Sequence, residues 1–286
     1  MSAHSGLVPG RVLLEEARRA GGAVAGLNFY NAETLRAHVD AARGLGSPLF
    51  LQTTEATIEY LGWRMVVAMA RATSEELEVP VALHLDHGKS FDLAARAIEA
   101  GYTSVMIDGS MLPFDENVAL TRRVAELALG AGVSVEAEIG HVGPAASSDA
   151  SAFYTRPEDA RRFVEATGVD SLAVAVGTQH GFYRGAVALD FERLAAIRDA
   201  LPGIPLVLHG GSGVPHELIA RAIALGITKV NFGTELKDAF TRAVRDSLAG
   251  STEIDLRKSF APAISAVRRV SAAKLGVCWS AARARA

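Results

Sequence analysis

The sequence predicts an α/β fold in which parallel strands and their crossover helices close into one (β/α)8 barrel, the TIM-barrel architecture. Short apolar runs rich in β-branched residues alternate with longer amphipathic stretches through almost the whole chain. Eight such alternations fit into the 286 residues, and no Pro- or Ser-rich linker divides them. Strands buried on both faces and each followed by a helix favour a parallel sheet. We therefore expect a single barrel domain over residues 1–286, with a helical extension at the C-terminus.

The strands are expected at the apolar runs, and the clearest helices lie where apolar residues recur three and four positions apart. The predicted strands are Ala23–Phe29, Pro48–Thr53, Val81–Leu85, Ser104–Ile107, Ser134–Ile139, Ser171–Ala175, Leu206–His209 and Lys229–Phe232. The clearest predicted helices are Phe91–Ala100, Phe114–Ala131, Pro157–Thr167, Phe191–Ala200 and Pro215–Leu225. An open doubly wound sheet is the alternative, but it would usually carry a G-x-G-x-x-G turn after the first strand. The segment "GLNFYNAET" contains no such turn.

Composition excludes several classes of protein. The net charge is −3, and the Lys and Arg residues are interspersed rather than clustered, which argues against a nucleic-acid partner. No apolar run approaches the ~20 residues that a membrane span requires. The single cysteine, Cys278, excludes an intrachain disulfide and suits a reducing compartment. The first residues lack the pattern of a signal peptide, so we expect a cytoplasmic protein without a membrane partner.

Three histidines occur where predicted strands end. In a barrel, catalytic groups lie at the C-terminal ends of the strands and in the loops that follow. His87 closes the third strand in "LHLDHG", His180 follows the sixth in "AVGTQHG", and His209 closes the seventh in "LVLHGGSG". Three neutral imidazoles that leave an open coordination position are a familiar catalytic zinc arrangement. Ordinary hydrogen-bonded histidines on the rim are the structural alternative.

Two acidic residues reach the same rim, Asp108 in "SVMIDGS" and Glu138 in "VEAEIG". Either could orient an imidazole N–H, bind the metal directly, or simply cap the next helix. His84 shares a strand face with Asp86, which favours a hydrogen-bonded core residue over a metal ligand. Three further histidines are expected to be solvated or to cap helices: His4, His38 and His216.

Two glycine-containing loops follow the last predicted strands. "HGGSG" precedes one helix and "NFGTE" precedes another, positions at which barrels often bind phosphate through backbone N–H groups and helix N-termini. Ser212 and Thr234 add hydroxyl donors, while Gly181 and Arg184 could add an N–H group and a positive charge. Two tight turns without a ligand are the structural alternative.

Together these segments resemble the class II, metal-dependent ketose-bisphosphate aldolases of the fructose- and tagatose-bisphosphate group. The resemblance extends over nearly the whole chain. Its most specific segments are "HLDHG", "SVMIDGSMLPFDEN", "VEAEIGHVG", "DSLAVAVGTQHGFYRG", "LVLHGGSG" and "KVNFGTELK". It implies a barrel enzyme that forms and cleaves a phosphorylated ketose, with dihydroxyacetone phosphate as the nucleophilic half and glyceraldehyde 3-phosphate or a relative as the aldehyde.

The resemblance also implies roles for individual residues. Zn²⁺ would be bound by His87, His180 and His209, and Asp86 would be the catalytic proton donor. Arg184 stands where many relatives have a phosphate-binding lysine. The implied substrate-binding residues are Asn28, Gly181, Gly210, Gly211, Ser212, Asn231, Phe232, Gly233 and Thr234. The resemblance further implies a monovalent cation near the phosphate site and a homo-oligomer, either a dimer or a tetramer. No lysine is required as a Schiff base, so Lys89 and Lys229 are interpreted as structural or electrostatic.

The segment after "EIGHVG" departs from the family pattern. Relatives usually continue with a second glycine and an acidic pair, whose glutamate is thought to remove the substrate proton. This chain reads "PAASSDA" over residues 144–150, where Asp149 is the only acid. Two other functions therefore stay open. A metal-dependent hydrolase would usually carry H-x-H after the first strand, where this chain has "NFYN"; a non-catalytic paralogue would bind a sugar phosphate without turnover.

Overall fold

The strands form a closed parallel barrel, which confirms the predicted fold class. The computed structural model describes residues 6–141, 153–183 and 185–283. In this part of the chain the strands pair in sequence order from β1 to β8. The barrel closes because β1 also pairs with β8, with Val24 opposite Lys229 and Gly26 opposite Asn231. The open doubly wound alternative is therefore wrong.

The observed strands differ from the predicted ones mainly at their ends. They are β1 Val24–Asn28, β2 Leu49–Thr53, β3 Val81–Gly88, β4 Ser104–Ile107, β5 Ser134–Ile139, β6 Ser171–Val174, β7 Leu206–Leu208 and β8 Ile227–Phe232. The third strand is three residues longer than predicted, and the eighth begins two residues earlier. The addition to β3 matters because it brings Asp86 and His87 into the strand.

Helices alternate with the strands and cover the outside of the barrel. They are α1 Gly10–Ala20, α2 Ala32–Leu45, α3 Glu55–Leu61, α4 Trp63–Glu75, α5 Phe91–Ala100, α6 Phe114–Ala131, α7 Pro157–Thr167, α8 Phe191–Ala200, α9 His216–Ala224, α10 Thr234–Leu248 and α11 Leu256–Arg283. The predicted bounds of α5, α6, α7 and α8 are confirmed. Among the described helices, none combines the length and the hydropathy needed to cross a bilayer.

The N-terminal end of the barrel is sealed by α1. Leu13, Leu14 and Ala17 on one face of this helix pack against Val24 and the other inward-facing apolar residues at the base of the strands. The larger apolar cluster lies between the barrel and its outer helices. Apolar side chains fill most of the base, and the charged side chains inside the barrel, such as Lys229, Glu136 and Asp86, lie above it.

The C-terminal helix α11 packs on α2 and is joined to the first strand through a buried histidine. His38 of α2 is fully buried, with Nδ1 2.8 Å from Ser271 Oγ of α11 and Nε2 3.1 Å from the Asn28 carbonyl oxygen. The neutral ring satisfies both contacts if Ser271 donates to Nδ1 and Nε2–H donates to the carbonyl. The interpretation of His38 as solvated or capping is therefore wrong. His216 lies exposed at the start of α9, and His4 lies outside the described residues.

Because His38 is buried, it is expected to lower the stability of the folded protein at acidic pH. Desolvation lowers the pKa of His38 to about 4, against an ordinary value of 6.5, although its hydrogen bond to Asn28 opposes the shift. Between these two values the unfolded chain binds a proton that the folded chain does not, so stability falls as the pH falls through this window. The free energy of unfolding should therefore decline less in His38→Gln than in the unmodified protein, by up to about 3 kcal/mol between pH 7 and pH 4. Urea unfolding over this pH range measures the difference.

The control is His216→Gln, which changes an exposed histidine on α9. Its profile of unfolding free energy against pH should follow that of the unmodified protein. Equal slopes for His38→Gln and the unmodified protein would show that the buried ring does not resist protonation.

Candidate active site

Three histidine rings from separate strands meet at the C-terminal rim of the barrel. His87 ends β3, His180 lies in the loop after β6, and His209 follows β7. The centroid of the His87 ring is 4.9 Å from that of His180 and 4.7 Å from that of His209, while the other pair is 6.3 Å apart. One nitrogen from each ring lies within 4.8 Å of the other two. This donor set fits a single divalent metal ion, since neutral imidazole is a common metal ligand.

A bulge in β3 explains how two consecutive residues both face the site. The pairing with β4 advances from Leu85 to Gly88 on β3 but only from Val105 to Ile107 on β4, so β3 carries one extra residue. His87 adopts a left-handed backbone conformation with φ of +53°. The usual alternation of side chains is broken there, and Asp86 and His87 line the same cavity.

The ring of His87 is oriented by a carboxylate. Its Nδ1 lies 2.8 Å from Asp108 Oδ2, while Asp108 Oδ1 accepts hydrogen bonds from the N–H and hydroxyl groups of Ser110. Burial opposes ionisation of Asp108, but the contacts with His87 and Ser110 hold the pKa of this carboxyl well below its usual range. An ionised Asp108 accepts a hydrogen bond from Nδ1–H of His87, which leaves Nε2 of His87 as the candidate ligand atom.

His209 lies between two carboxylates. Its Nδ1 is 2.9 Å from Glu138 Oε2, and its Nε2 is 2.8 Å from Glu136 Oε1. Although burial opposes protonation, these two contacts raise the pKa of His209 to about 10. The environment therefore favours one positive charge at this point. A divalent ion bound at Nδ1 would supply that charge in place of the proton, because metal binding displaces protons from its ligands.

Glu136 belongs to a fully buried polar chain that extends below the candidate metal ligands. Lys229 Nζ lies 2.7 Å from Glu136 Oε2 and 3.2 Å from His84 Nε2, while His84 Nδ1 lies 2.7 Å from Ser104 Oγ. Burial and the neighbouring Lys229 charge lower the pKa of His84 to about 3, so this ring is neutral. The sequence analysis missed Glu136. The signal was its spacing, since it precedes Glu138 by two residues and faces the same side of β5.

Asp86 is held by two amides. Asn28 Nδ2 donates to Asp86 Oδ2 at 2.8 Å, and Asn231 Nδ2 donates to Oδ1 at 3.1 Å. Burial raises the pKa of Asp86, but positive charge on His87 and His209 outweighs it, and the net shift is downward. The role of proton donor that the family resemblance implies for Asp86 needs the carboxylic acid form. Asp86 is indeed buried, yet the neighbouring positive charge favours its carboxylate form.

A cavity of about 420 Å³ extends from these residues to the loops after β7 and β8. Ser212 Oγ accepts N–H bonds from Gly233 and Glu235 at 3.3 Å each, which leaves its hydroxyl proton to donate. The predicted substrate-binding residues that line the cavity are Asn28, Gly181, Gly210, Ser212, Asn231, Gly233 and Thr234. The sequence analysis did not assign three other lining residues: Tyr30, Thr54 and Lys237.

Two of the predicted binding residues do not line this cavity. The Phe232 side chain is fully buried in the apolar core. A side chain at Gly211 would meet Val230, Phe232 and the Asn231 carbonyl oxygen, so this glycine serves close packing of the strands. Neither residue offers a side chain to a ligand. Arg184 and residues 144–150, including Asp149, lie outside the described residues.

A second cavity of about 430 Å³ lies on the other side of the candidate ligands. It shares Thr54, His87 and His180 with the first cavity and continues toward Glu55 and Lys89. Asp108 and Glu138 also line it. His87 and His180 therefore border two spaces, each of which can hold one half of a substrate, whereas the fully buried His209 lines neither.

The sequence matches the family model described as fructose-bisphosphate aldolase class-II over residues 8–283. The chain belongs to the class II fructose-bisphosphate aldolase family. Aldolase activity, a carbon–carbon lyase reaction, follows from this membership, and the family is typically metal-dependent.

Solved structures agree with this assignment. The YdjI aldolase from Escherichia coli K12 is 34% identical to this class II aldolase, with 95% of this chain and 97% of that chain covered and a TM-score of 0.84. A putative fructose-1,6-biphosphate aldolase from Coccidioides immitis is 30% identical, with the same coverage and a TM-score of 0.83. The fructose-bisphosphate aldolase of Campylobacter jejuni shares the fold, at 24% identity, 98% and 96% coverage and a TM-score of 0.77.

The Asp108–His87 hydrogen bond can be tested by metal binding. We expect Asp108→Asn to weaken Zn²⁺ affinity about 10- to 100-fold, because an amide can present its NH₂ group to Nδ1 and disturb the ring. Competition with a chromophoric chelator measures this affinity. Ser110→Ala keeps the carboxylate and serves as the control, with a smaller loss. Equal affinities for Asp108→Asn and the unmodified protein would exclude this carboxylate from orienting a metal ligand.

Gly26 provides a test of packing beneath Asp86. A Cβ atom at this position would collide with the side-chain oxygen of Gln52 and would lie 2.6 Å from Asn231 Oδ1. We expect Gly26→Ala to lower the free energy of unfolding by about 1–3 kcal/mol, measured by urea denaturation. Gly44→Ala is the matched control, because no atom lies within 4 Å of the added methyl group and alanine favours the helix. An unchanged free energy of unfolding for Gly26→Ala would mean that the side chains of Gln52 and Asn231 can move aside without destabilising the fold.

Proposed function

We propose that this aldolase cleaves and forms a phosphorylated ketose, with dihydroxyacetone phosphate as the nucleophilic half and an aldehyde such as glyceraldehyde 3-phosphate as the acceptor. The observation that carries the proposal is the meeting of three imidazoles, two of which line both cavities. One of these cavities ends at glycine loops and the start of a helix, which suit a phosphate group. The description of the Coccidioides immitis relative as a putative fructose-1,6-biphosphate aldolase supports the same substrate class.

Zn²⁺ is the proposed metal, bound by Nε2 of His87, Nδ1 of His209 and a ring nitrogen of His180. A bound divalent ion supplies Lewis-acid stabilisation of the negative charge that develops next to the substrate carbonyl. The chain contributes the orientation of two of these rings. Asp108 accepts from His87 Nδ1, and Glu136 accepts from His209 Nε2, so the other nitrogen of each ring is the one proposed to bind the ion.

Asp86 is the proposed proton carrier. Its carboxylate form suits the cleavage direction, in which it takes the proton from the substrate hydroxyl as the carbon–carbon bond breaks. In the condensation direction Asp86 returns this proton to the newly formed alkoxide. The amides of Asn28 and Asn231 hold both carboxylate oxygens, and this fixes the direction from which a proton arrives or leaves.

The phosphate group would be held where the first cavity meets the loops after β6, β7 and β8. Ser212 offers its hydroxyl proton, Gly181 and Gly210 allow close approach to the backbone, and Thr234 begins α10. Lys237 lies one turn into that helix and lines the same cavity, so it adds a positive charge. The aldehyde half would occupy the second cavity, toward Glu55 and Lys89.

The decisive experiment measures aldol cleavage and its metal dependence. Purified protein should cleave fructose 1,6-bisphosphate, tagatose 1,6-bisphosphate or another ketose phosphate. It should also condense dihydroxyacetone phosphate with one member of an aldehyde panel, lose activity to a chelator and regain it with Zn²⁺. We expect Asp86→Asn to lower kcat about 100- to 10,000-fold with little change in Zn²⁺ affinity. Asp92→Asn, which changes an exposed carboxylate at the start of α5, is the control and should keep full activity.

Three outcomes would contradict the proposal. Full activity in metal-free protein would exclude the metal centre from the reaction. Incorporation of solvent ¹⁸O into a product would favour the metal-dependent hydrolase. Tight binding of the sugar phosphate without turnover on any aldehyde would favour the non-catalytic paralogue, which the missing glutamate in residues 144–150 makes a real alternative.

A further inference from the structure

Lys229 is a fully buried cation in the middle of the barrel. A charge removed from water at this depth is tolerated only when its partners compensate for the lost hydration. Its ammonium group contacts Glu136 and His84 and lies 4.9 Å from the centre of the Phe50 ring. Lys229 lines neither of the two cavities, so its amine does not reach a substrate and cannot act as a nucleophile.

The donors and acceptors of this chain of contacts permit only one arrangement. An ammonium group donates and never accepts. Because Lys229 donates to His84 Nε2, the neutral His84 ring carries its proton on Nδ1 and donates to Ser104 Oγ. Because Lys229 also donates to Glu136 Oε2, the other carboxylate oxygen, Oε1, stays directed at His209 Nε2 and accepts its proton. His209 Nδ1, which lies 2.9 Å from Glu138 Oε2, is then the nitrogen whose proton a bound ion would displace.

We propose that Lys229 is a positioning residue that, through the Glu136 carboxylate, makes Nε2 the nitrogen that keeps its proton when the candidate ligand His209 binds a metal ion. This inference rests on the metal site of the proposed function, and it adds Lys229 as the residue that orients one of the ligands of that site. Lys229 of β8, Glu136 of β5 and His209 after β7 thus act in series, and Nδ1 is left as the nitrogen that exchanges its proton for the ion. Outer partners of this kind typically change metal affinity 10- to 100-fold.

The variant Glu136→Gln tests the hydrogen bond between Glu136 and His209. A glutamine side chain has one oxygen and one NH₂ group, and Lys229 must take the oxygen because it can only donate. The NH₂ group then faces His209 Nε2, which must accept, and the ring proton moves to Nδ1 where it blocks the metal. We expect Glu136→Gln to weaken Co²⁺ and Zn²⁺ binding by about 100-fold, the upper end of the usual range.

The double variant Glu136→Gln/Lys229→Met separates tautomer control from general damage. Methionine offers no donor, so the amide can turn its oxygen toward His209 Nε2–H and restore the lone pair on Nδ1. We expect the double variant to bind Co²⁺ at least about tenfold more tightly than Glu136→Gln alone. Lys229→Met alone leaves the Glu136 carboxylate without its orienting cation and should lose about tenfold.

Lys274→Met is the matched control. Lys274 of α11 is also buried, and its Nζ lies 2.7 Å from Glu235 Oε2, but this pair does not contact a candidate metal ligand. Its Co²⁺ affinity should equal that of the unmodified protein, whatever its stability. Affinities come from competition with a chelator, read from the visible absorption of bound Co²⁺, and urea unfolding of the metal-free proteins reports stability separately.

The result expected is a gain in affinity from Glu136→Gln to the double variant. A double variant that binds Co²⁺ no better than Glu136→Gln, or single variants that keep full affinity, would overturn the inference. Neither result concerns turnover, because no substrate is present. A protein whose variants follow the expected order but which cleaves no ketose phosphate would contradict the proposed function and leave the role of Lys229 intact.

Discussion

Closure of the barrel is the constraint on which the rest of this structure depends. The hydrogen bonds between β1 and β8 bring the first and last strands together, so that the C-terminal ends of the strands form one ring. His87, His180 and His209 are widely separated along the chain. Their imidazole rings lie within a few ångströms of one another only because the strand ends form this closed circle. The polar interior in turn depends on the same closure, since Lys229 of β8 reaches Glu136 of β5 across the barrel.

The parts of the structure that could be predicted from sequence are those with local signals. Apolar periodicity predicted the alternation of strands and helices, and the bounds of α5 through α8 agree with the structure. The rule that catalytic groups lie at strand ends identifies His87, His180 and His209 as candidates from the sequence alone. The aldolase family itself was predicted from short segments in the right order, and the comparisons confirm it.

The parts that could not be predicted depend on pairing between distant residues. Nothing near His38 indicates that Ser271, more than 200 positions later, satisfies its ring. The bulge that directs both Asp86 and His87 into one cavity arises from the register between two strands, which periodicity does not reveal. The missed role of Glu136 has the same origin. Its partners lie on β7 and β8, so its local context alone resembles any buried strand with an occasional acid.

The link from α11 through His38 to Asn28 has a consequence for biosynthesis. Asn28 emerges from the ribosome early, with the first strand, whereas Ser271 is among the last residues to be made. His38, which contacts the Asn28 carbonyl, therefore lacks the partner of its Nδ1 atom through most of translation, and the amide that holds Asp86 belongs to Asn28 as well. Vectorial synthesis thus delays assembly of the reactive rim, so a nascent chain halted before its final helix would carry the proposed ligands without a finished site.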